Sequence, residues 1–186
     1  MIPADTLAPF PAGRRPALAA VNGNIPWAWR ALGSADLPWL MALYATTRAQ
    51  ELQPLPWPDT VKQQFLAQQF VAQHQHYLGH YPQAHYLAID VDGQAVGRVY
   101  IDEAGEDDLL VDISLLPAWR GRGLGTALIQ RLQQAATMRG RSLRLSVQVH
   151  NPAARRLYER LGFIADAATE AQTHVAMRWT GTAGLS

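Results

Sequence analysis

The residues best suited to chemistry fall in two short stretches and one isolated carboxylate. In Arg120-Gly-Arg-Gly-Leu-Gly-Thr126, Gly121, Gly123 and Gly125 alternate with Arg122 and Leu124. The first turn of a helix leaves backbone N–H groups without partners, and the peptide dipoles place partial positive charge there. Glycines let a backbone close on a bulky anion, and Arg120 and Arg122 add full charge, so the loop suits a diphosphate. A flexible connection with solvated arginines fits the same glycines equally well. The second stretch holds Asn151 and Tyr158, seven residues apart, an amide that can cap a helix and a phenol that can donate a proton. A plain cap and a core-edge tyrosine would look the same. Asp112 is the isolated carboxylate, set in the apolar run Leu109–Leu116; it is either a proton acceptor or a hydrogen-bonded structural aspartate.

The elements that must position these groups follow from the pattern around them. Leu109–Leu116 has strand length and Pro117 ends it. From Leu124 on, Leu128, Leu132 and Ala135 recur at helical spacing until Gly140. Leu143, Leu145, Val147 and Val149 alternate with polar residues as a strand with one buried face. Asn151 then caps a helix with Pro152 at its first position, striped by Leu157, Tyr158 and Leu161 and stopped by Gly162. The order strand, glycine turn, helix excludes two familiar phosphate sites. No Gly-Lys-Ser/Thr follows, so this is not a P-loop, and the spacing is not the Gly-x-Gly-x-x-Gly of a dinucleotide fold.

What fits is Arg-x-x-Gly-x-Gly from Arg120 to Gly125, followed by Asn-x-x-Ala-x-x-Leu-Tyr-x-x-x-Gly-Phe from Asn151 to Phe163. The pair resembles the two signature segments of the GNAT superfamily of N-acetyltransferases, over about residues 25 to 180. The resemblance implies an α/β fold with a mixed, largely antiparallel central sheet, helices on both faces, and strands splayed at the cofactor site. It implies acetyl-CoA as cosubstrate, attacked directly by an amine. Backbone groups of Ile113, Leu115 and Leu116 would pair with the pantetheine arm. The N–H groups of Arg120, Gly121, Arg122, Gly123, Leu124, Gly125 and Thr126 would bind the pyrophosphate. Asn151 would hydrogen-bond the pantetheine, and Tyr158 would lie near the sulfur as general acid. Many relatives carry a glutamate where this chain has Leu109, so the base is expected at Asp112 instead. Losing a proton from a lysine-like amine at pH 7 costs about 4–5 kcal/mol, which is why a base is wanted.

Composition sets the wider limits. With 186 residues and a formal net charge of +1, one domain is expected and a nucleic-acid partner is not. There are no cysteines, which fits a reducing interior and excludes thiolate chemistry and metal-thiolate sites. No apolar run reaches membrane length, and Arg14-Arg15 precedes too short an apolar stretch for an export signal. A cytoplasmic protein, monomer or homodimer, is therefore expected, with no bound metal and a small-molecule or peptide amine as acceptor. The alternative is a non-catalytic acyl-CoA-binding regulatory module that kept the cradle and lost the chemistry.

The domain should span residues 25–181, after a Pro/Ala-rich leader (1–24) that is extended or mobile and before a tail (182–186). Ile25–Leu32 reads as an edge strand, and Leu37, Leu40, Met41 and Tyr44 stripe a helix capped by Ser34 or Asp36 and running to about Glu51. Gln53–Pro58 is a stiff connector. Asp59 is expected to cap a helix with Val61, Phe65, Leu66 and Phe70 on adjacent rows. Asp92-Gly93 signals a tight hairpin between His85–Val91 and Gln94–Ile101, with Gly97 at a bulge or close approach. The acidic turn Asp102–Asp108 reads as solvated. His76 and His80, four apart, read as polar surface. Glu51, Tyr86 and Tyr100 are further substrate-side candidates, and Trp57, Phe65, Phe70 and Tyr77 lie where relatives build an acceptor pocket.

Overall fold

A computed structural model describes residues 7–11, 26–166 and 173–181. Most of the expected leader and all of the expected tail lie outside the described residues. Among the described residues seven strands are hydrogen-bonded in the order β1-β2-β3-β4-β5-β7-β6: β1 Ala28–Ala31, β2 His85–Val91, β3 Gln94–Asp102, β4 Asp108–Leu115, β5 Leu143–Gln148, β6 Ile164–Ala165 and β7 His174–Trp179. Among the described residues four helices accompany them: α1 Leu37–Leu52, α2 Asp59–His80, α3 Leu124–Met138 and α4 Pro152–Arg160. The pairs β1/β2, β5/β7 and β6/β7 are antiparallel, whereas β4/β5 is parallel. The parallel ladder has three pairs and ends at Leu110↔Leu145, although β5 continues against β7 to Gln148↔His174. The sheet is thus mixed and largely antiparallel, as expected.

The chain forms two compact units, Met1–Val99 with Ile113–Trp119, and Tyr100–Asp112 with Arg120–Ser186. In the first, Leu37, Leu40, Leu43 and Tyr44 of α1, Phe70 of α2, Leu87 and Ile89 of β2, and Val96 and Val99 of β3 are buried. Each such side chain contributes about 1.5–3 kcal/mol by leaving water. Asp92 and Gly93 both take positive φ, at 50° and 75°, the backbone of a two-residue turn matched to strand twist. Gly97 is a close approach: a Cβ there would stand 2.5 Å from both Leu115 Cδ2 and the Ser114 carbonyl oxygen.

Two expected helix starts differ. Asp36 precedes α1, but its carboxylate turns back to accept from the Gly33 N–H and the Arg30 guanidinium. Pro58, not Asp59, precedes α2, and no side chain caps it, so Asp59 acts there only as a charge at the positive end. The helix runs past Gly79 to His80. Part of the leader is ordered against this unit. Leu7 is buried, the Ala8 carbonyl lies 2.8 Å from His74 Nε2, and the Phe10 ring meets His74 edge-on at 4.9 Å and Tyr86 at 5.4 Å.

In the second unit the apolar stripe of α3 (Leu124, Leu128, Ile129, Leu132, Ala136) is buried, as are Leu143, Leu145 and Val147 of β5. Both α3 and α4 pack on β5. The acidic turn is not simply solvated. Asp108 is fully buried, and Arg139 and Arg141 both reach its carboxylate. Glu103 pairs with Arg139 at 2.9 Å and Asp107 with Arg178 at 2.8 Å. The short strand β6 was not expected; two residues are too few to show a period.

Candidate functional site

The glycine loop folds as its spacing predicts. Gly121 and Gly123 sit at φ +71° and +85°, and no protein atom lies within 4 Å of where either Cβ would stand. Positive φ, not crowding within the chain, therefore demands glycine here. Gly123 is also the residue before α3, and no side chain caps that helix. Arg120, Gly121, Arg122 and Gly123 are exposed, while Leu124 is buried and anchors the helix start. Open space lies where Cβ atoms of Gly121 and Gly123 would stand, at the positive end of a 15-residue helix, and exposed Arg120 and Arg122 alternate with those glycines. A group as bulky and anionic as a diphosphate fits that arrangement.

In the same unit, Asn151 caps α4, its Oδ1 accepting from the Ala154 N–H at 3.1 Å, with Pro152 at the first helical position. Two turns on, Tyr158 is 7% exposed, its ring 5.7 Å from that of Phe163. Burial, and secondarily the negative charge of Asp112, push its phenol up to about 12. The register explains why Asp112 acts on it. Asp108 pairs with Leu143 and Leu110 with Leu145. The two-residue period then puts Asp112 on the face of Asp108, Leu110 and the buried residues of β5, the face where α4 packs. Gln133 of α3 was missed by sequence reasoning. It is buried, and its Nε2 donates to the Leu161 carbonyl at the end of α4 at 2.8 Å, tying down the helix that carries Tyr158. Its signal was a polar residue between Ile129 and Ala136 on a buried helical row.

In the first unit, Ile113, Leu115 and Leu116 are all half-buried, unlike the closed strands β2 and β3. The backbone of Leu116 is engaged within the chain: its N–H donates to Val96 and its carbonyl accepts from Trp119, both at 2.9 Å. Other candidates resolve into packing. Tyr86 is buried and donates its hydroxyl to the Tyr77 and Tyr81 carbonyls, and Tyr100 is buried too. Neither is open to a substrate. Glu51 pairs with Arg48. Phe70 lies in the core against Tyr44 and His74, whereas Trp57, 40% exposed, meets Phe65 edge-on at 5.6 Å. The rings of His76 and His80 lie 4.0 Å apart on the exposed side of α2. Among the described residues no cluster of three or more His, Cys, Asp or Glu could hold a metal, and no helix is long and apolar enough to cross a membrane.

Fold and loop together define a class: a mixed α/β sheet whose parallel pair stops short beside a glycine-rich helix start. The chain belongs to the acetyltransferase (GNAT) family, whose profile matches residues 46–163. It is 34% identical over 82 residues to a Bacillus subtilis protein assigned as a [ribosomal protein bS18]-alanine N-acetyltransferase, covering 44% of this chain and 54% of that one. It is 35% identical over 86 residues to the thialysine N-epsilon-acetyltransferase of Mus musculus, covering 46% and 49%. The chain thus spans about half the length of the curated relatives it matches. Its fold is that of the PaiA N-acetyltransferase of Thermoplasma acidophilum, solved with coenzyme A, at a TM-score of 0.61 and 14% identity over 84% of this chain and 99% of that one.

Proposed function

We propose that this protein is an N-acetyltransferase that uses acetyl-CoA to acetylate a primary amine of a small molecule or peptide. The observation that carries the reading is the pair of positive-φ glycines facing open space at the start of α3, in a chain of this family. N–H groups from Arg120 to Thr126 hold the pyrophosphate, with the two arginines beside it. Backbone groups of Ile113, Leu115 and Leu116 lie along the pantetheine arm in this reading, and the Leu116 N–H and carbonyl are also engaged within the chain. Because the Asn151 oxygen caps α4, its NH₂ group makes the ligand contact. When bound, acetyl-CoA supplies an acetyl group activated as a thioester.

Tyr158 serves the leaving sulfur. A phenol held at about 12 keeps its proton at every working pH, so the donor is always loaded. A thiol of ordinary pKa, about 8.5, does not pull that proton away outright. Tyr158 therefore acts by hydrogen-bonding the developing thiolate more strongly than the thioester, which lowers the barrier rather than tightening binding. Asp112, first expected as the base, works in this reading as the charge that keeps Tyr158 protonated.

The test is thiol release from acetyl-CoA with a panel of amines, amino acids, aminoglycosides and peptides. Amine-dependent release is expected with at least one acceptor. Saturable acetyl-CoA binding with no acceptor turned over would replace the enzyme with a non-catalytic acyl-CoA binder.

A further inference from the structure

We propose that His174 is the general base of the reaction, acting from the open face of β5 and β7, and that Gln148 and Ser146 contact the acceptor there. The inference rests on the transferase reading and fills the role that Asp112 leaves vacant.

Three observations within the second unit converge on it. First, β5 is two-sided: Leu143, Leu145 and Val147 are buried, while Arg144, Ser146 and Gln148 are exposed. Tyr158 and Asp112 belong to the buried side, so a sulfur held by Tyr158 is served from there. The amine must reach the thioester carbon from another direction, and the exposed side of β5 provides one. Second, Ser146 and Gln148 lie beyond Leu145, where the ladder to β4 has ended. The same strand order that opens the sheet brings their side chains to the opening. Third, Gln148 is in register with His174, so His174 stands one strand spacing, about 4.8 Å, from the residue at the opening.

His174 also has an orienting neighbour. It is exposed, and its Nδ1 lies 3.0 Å from the Thr173 hydroxyl oxygen. In the tautomer whose Nδ1–H donates to Thr173, Nε2 carries the free lone pair, the base-and-orienter arrangement of proton-transfer sites. The other charged groups of this face are worse placed. Arg144 and Arg178 are cations, Asp107 is paired with Arg178, Asp166 follows β6, which β7 separates from β5, and His150 lies in the turn after β5, outside the ladder that aligns His174 with Gln148.

The proton balance is simple. His174 Nε2 takes one proton from the ammonium, directly or through water, and the nitrogen lone pair forms the C–N bond. The C–S bond breaks with its pair left on sulfur, where Tyr158 donates its hydrogen bond. The nitrogen loses its second proton to solvent and the sulfur gains one, leaving an amide, a thiol and one released proton.

The test is the pH profile of kcat/KM for H174Q, D112N and the wild type, using the amine of the panel that supports fastest thiol release. In the wild type the profile should level off below the pKa of the acceptor amine, because an enzyme with its own base accepts the abundant ammonium form. In H174Q it should keep climbing with unit slope until the amine itself titrates, with rates near neutrality lower by about 100-fold. D112N should keep the plateau. Acetyl-CoA affinity and the melting temperature of H174Q should match the wild type, which separates a base from a structural side chain. An H174Q profile that levels off like the wild type overturns the assignment and leaves the transferase reading standing. A wild type with no turnover on any amine removes both.

Discussion

Burial and one neighbouring charge raise the Tyr158 phenol to about 12, and the proposed mechanism gives that phenol the leaving sulfur to serve. Removing only its hydroxyl, in Tyr158→Phe, keeps the ring against Phe163 and should lower kcat by about 100-fold. The KM for acetyl-CoA should change less than about threefold; equal losses in both would make Tyr158 a binding residue. The raised phenol also has a stability consequence. Between about pH 10 in the unfolded chain and about 12 in the fold, the native state holds more protons, so stability falls as pH rises through that window. Alkaline denaturation of Tyr158→Phe should lack this contribution, which a pH series of thermal melts would show. Asn151 and Tyr158 were legible from their spacing because a cap and a residue two turns on are local facts. The partner of Tyr158 was not, because the face that Asp112 occupies depends on the register of β4 against β5.

At the scale of elements, patterned segments were the readable ones. The stripe of α3 and the alternation of Leu143, Leu145 and Val147 in β5 matched the buried residues, whereas Val149, expected on the same face, lies past the end of β5 and is exposed. The Asp92-Gly93 turn was equally plain, since positive φ at two adjacent positions leaves few residue choices. Polar partnerships across long sequence separations were hidden. Asp108 looked like one more acid in a solvated turn, yet Arg139 and Arg141, from the end of α3 and the approach to β5, converge on it. That joint fixes the far end of the helix whose start is the glycine loop. Asp108→Ala leaves two guanidiniums beside a hole in the core, and it should cost about 3–5 kcal/mol by chemical denaturation. A loss under 1 kcal/mol would mean the arginines find water without strain.

On the scale of the whole chain, each unit has its own core, and the first is completed by a segment that no period announced. Leu7–Pro11 is held by His74, which Phe70 stacks from its own helix and Phe10 meets edge-on. Burial lowers the His74 pKa, with the Ala8 carbonyl opposing and the Arg98 charge adding to the shift. The unfolded chain therefore binds the proton more readily, and the stability this provides is present above the ordinary histidine pKa of about 6.5 and lost as pH falls through the folded value. Exchange protection of the amides in residues 7–11 should fall on acidification, and His74→Gln, which can still donate to Ala8, should remove that dependence. The central claim concerns the other unit and can be tested without knowing the acceptor. In a calorimetric titration with acetyl-CoA, the wild type should bind saturably at one site per chain. Gly123→Val should lose that binding while still unfolding cooperatively. No heat from the wild type, or equal affinity in the two proteins, would contradict the account.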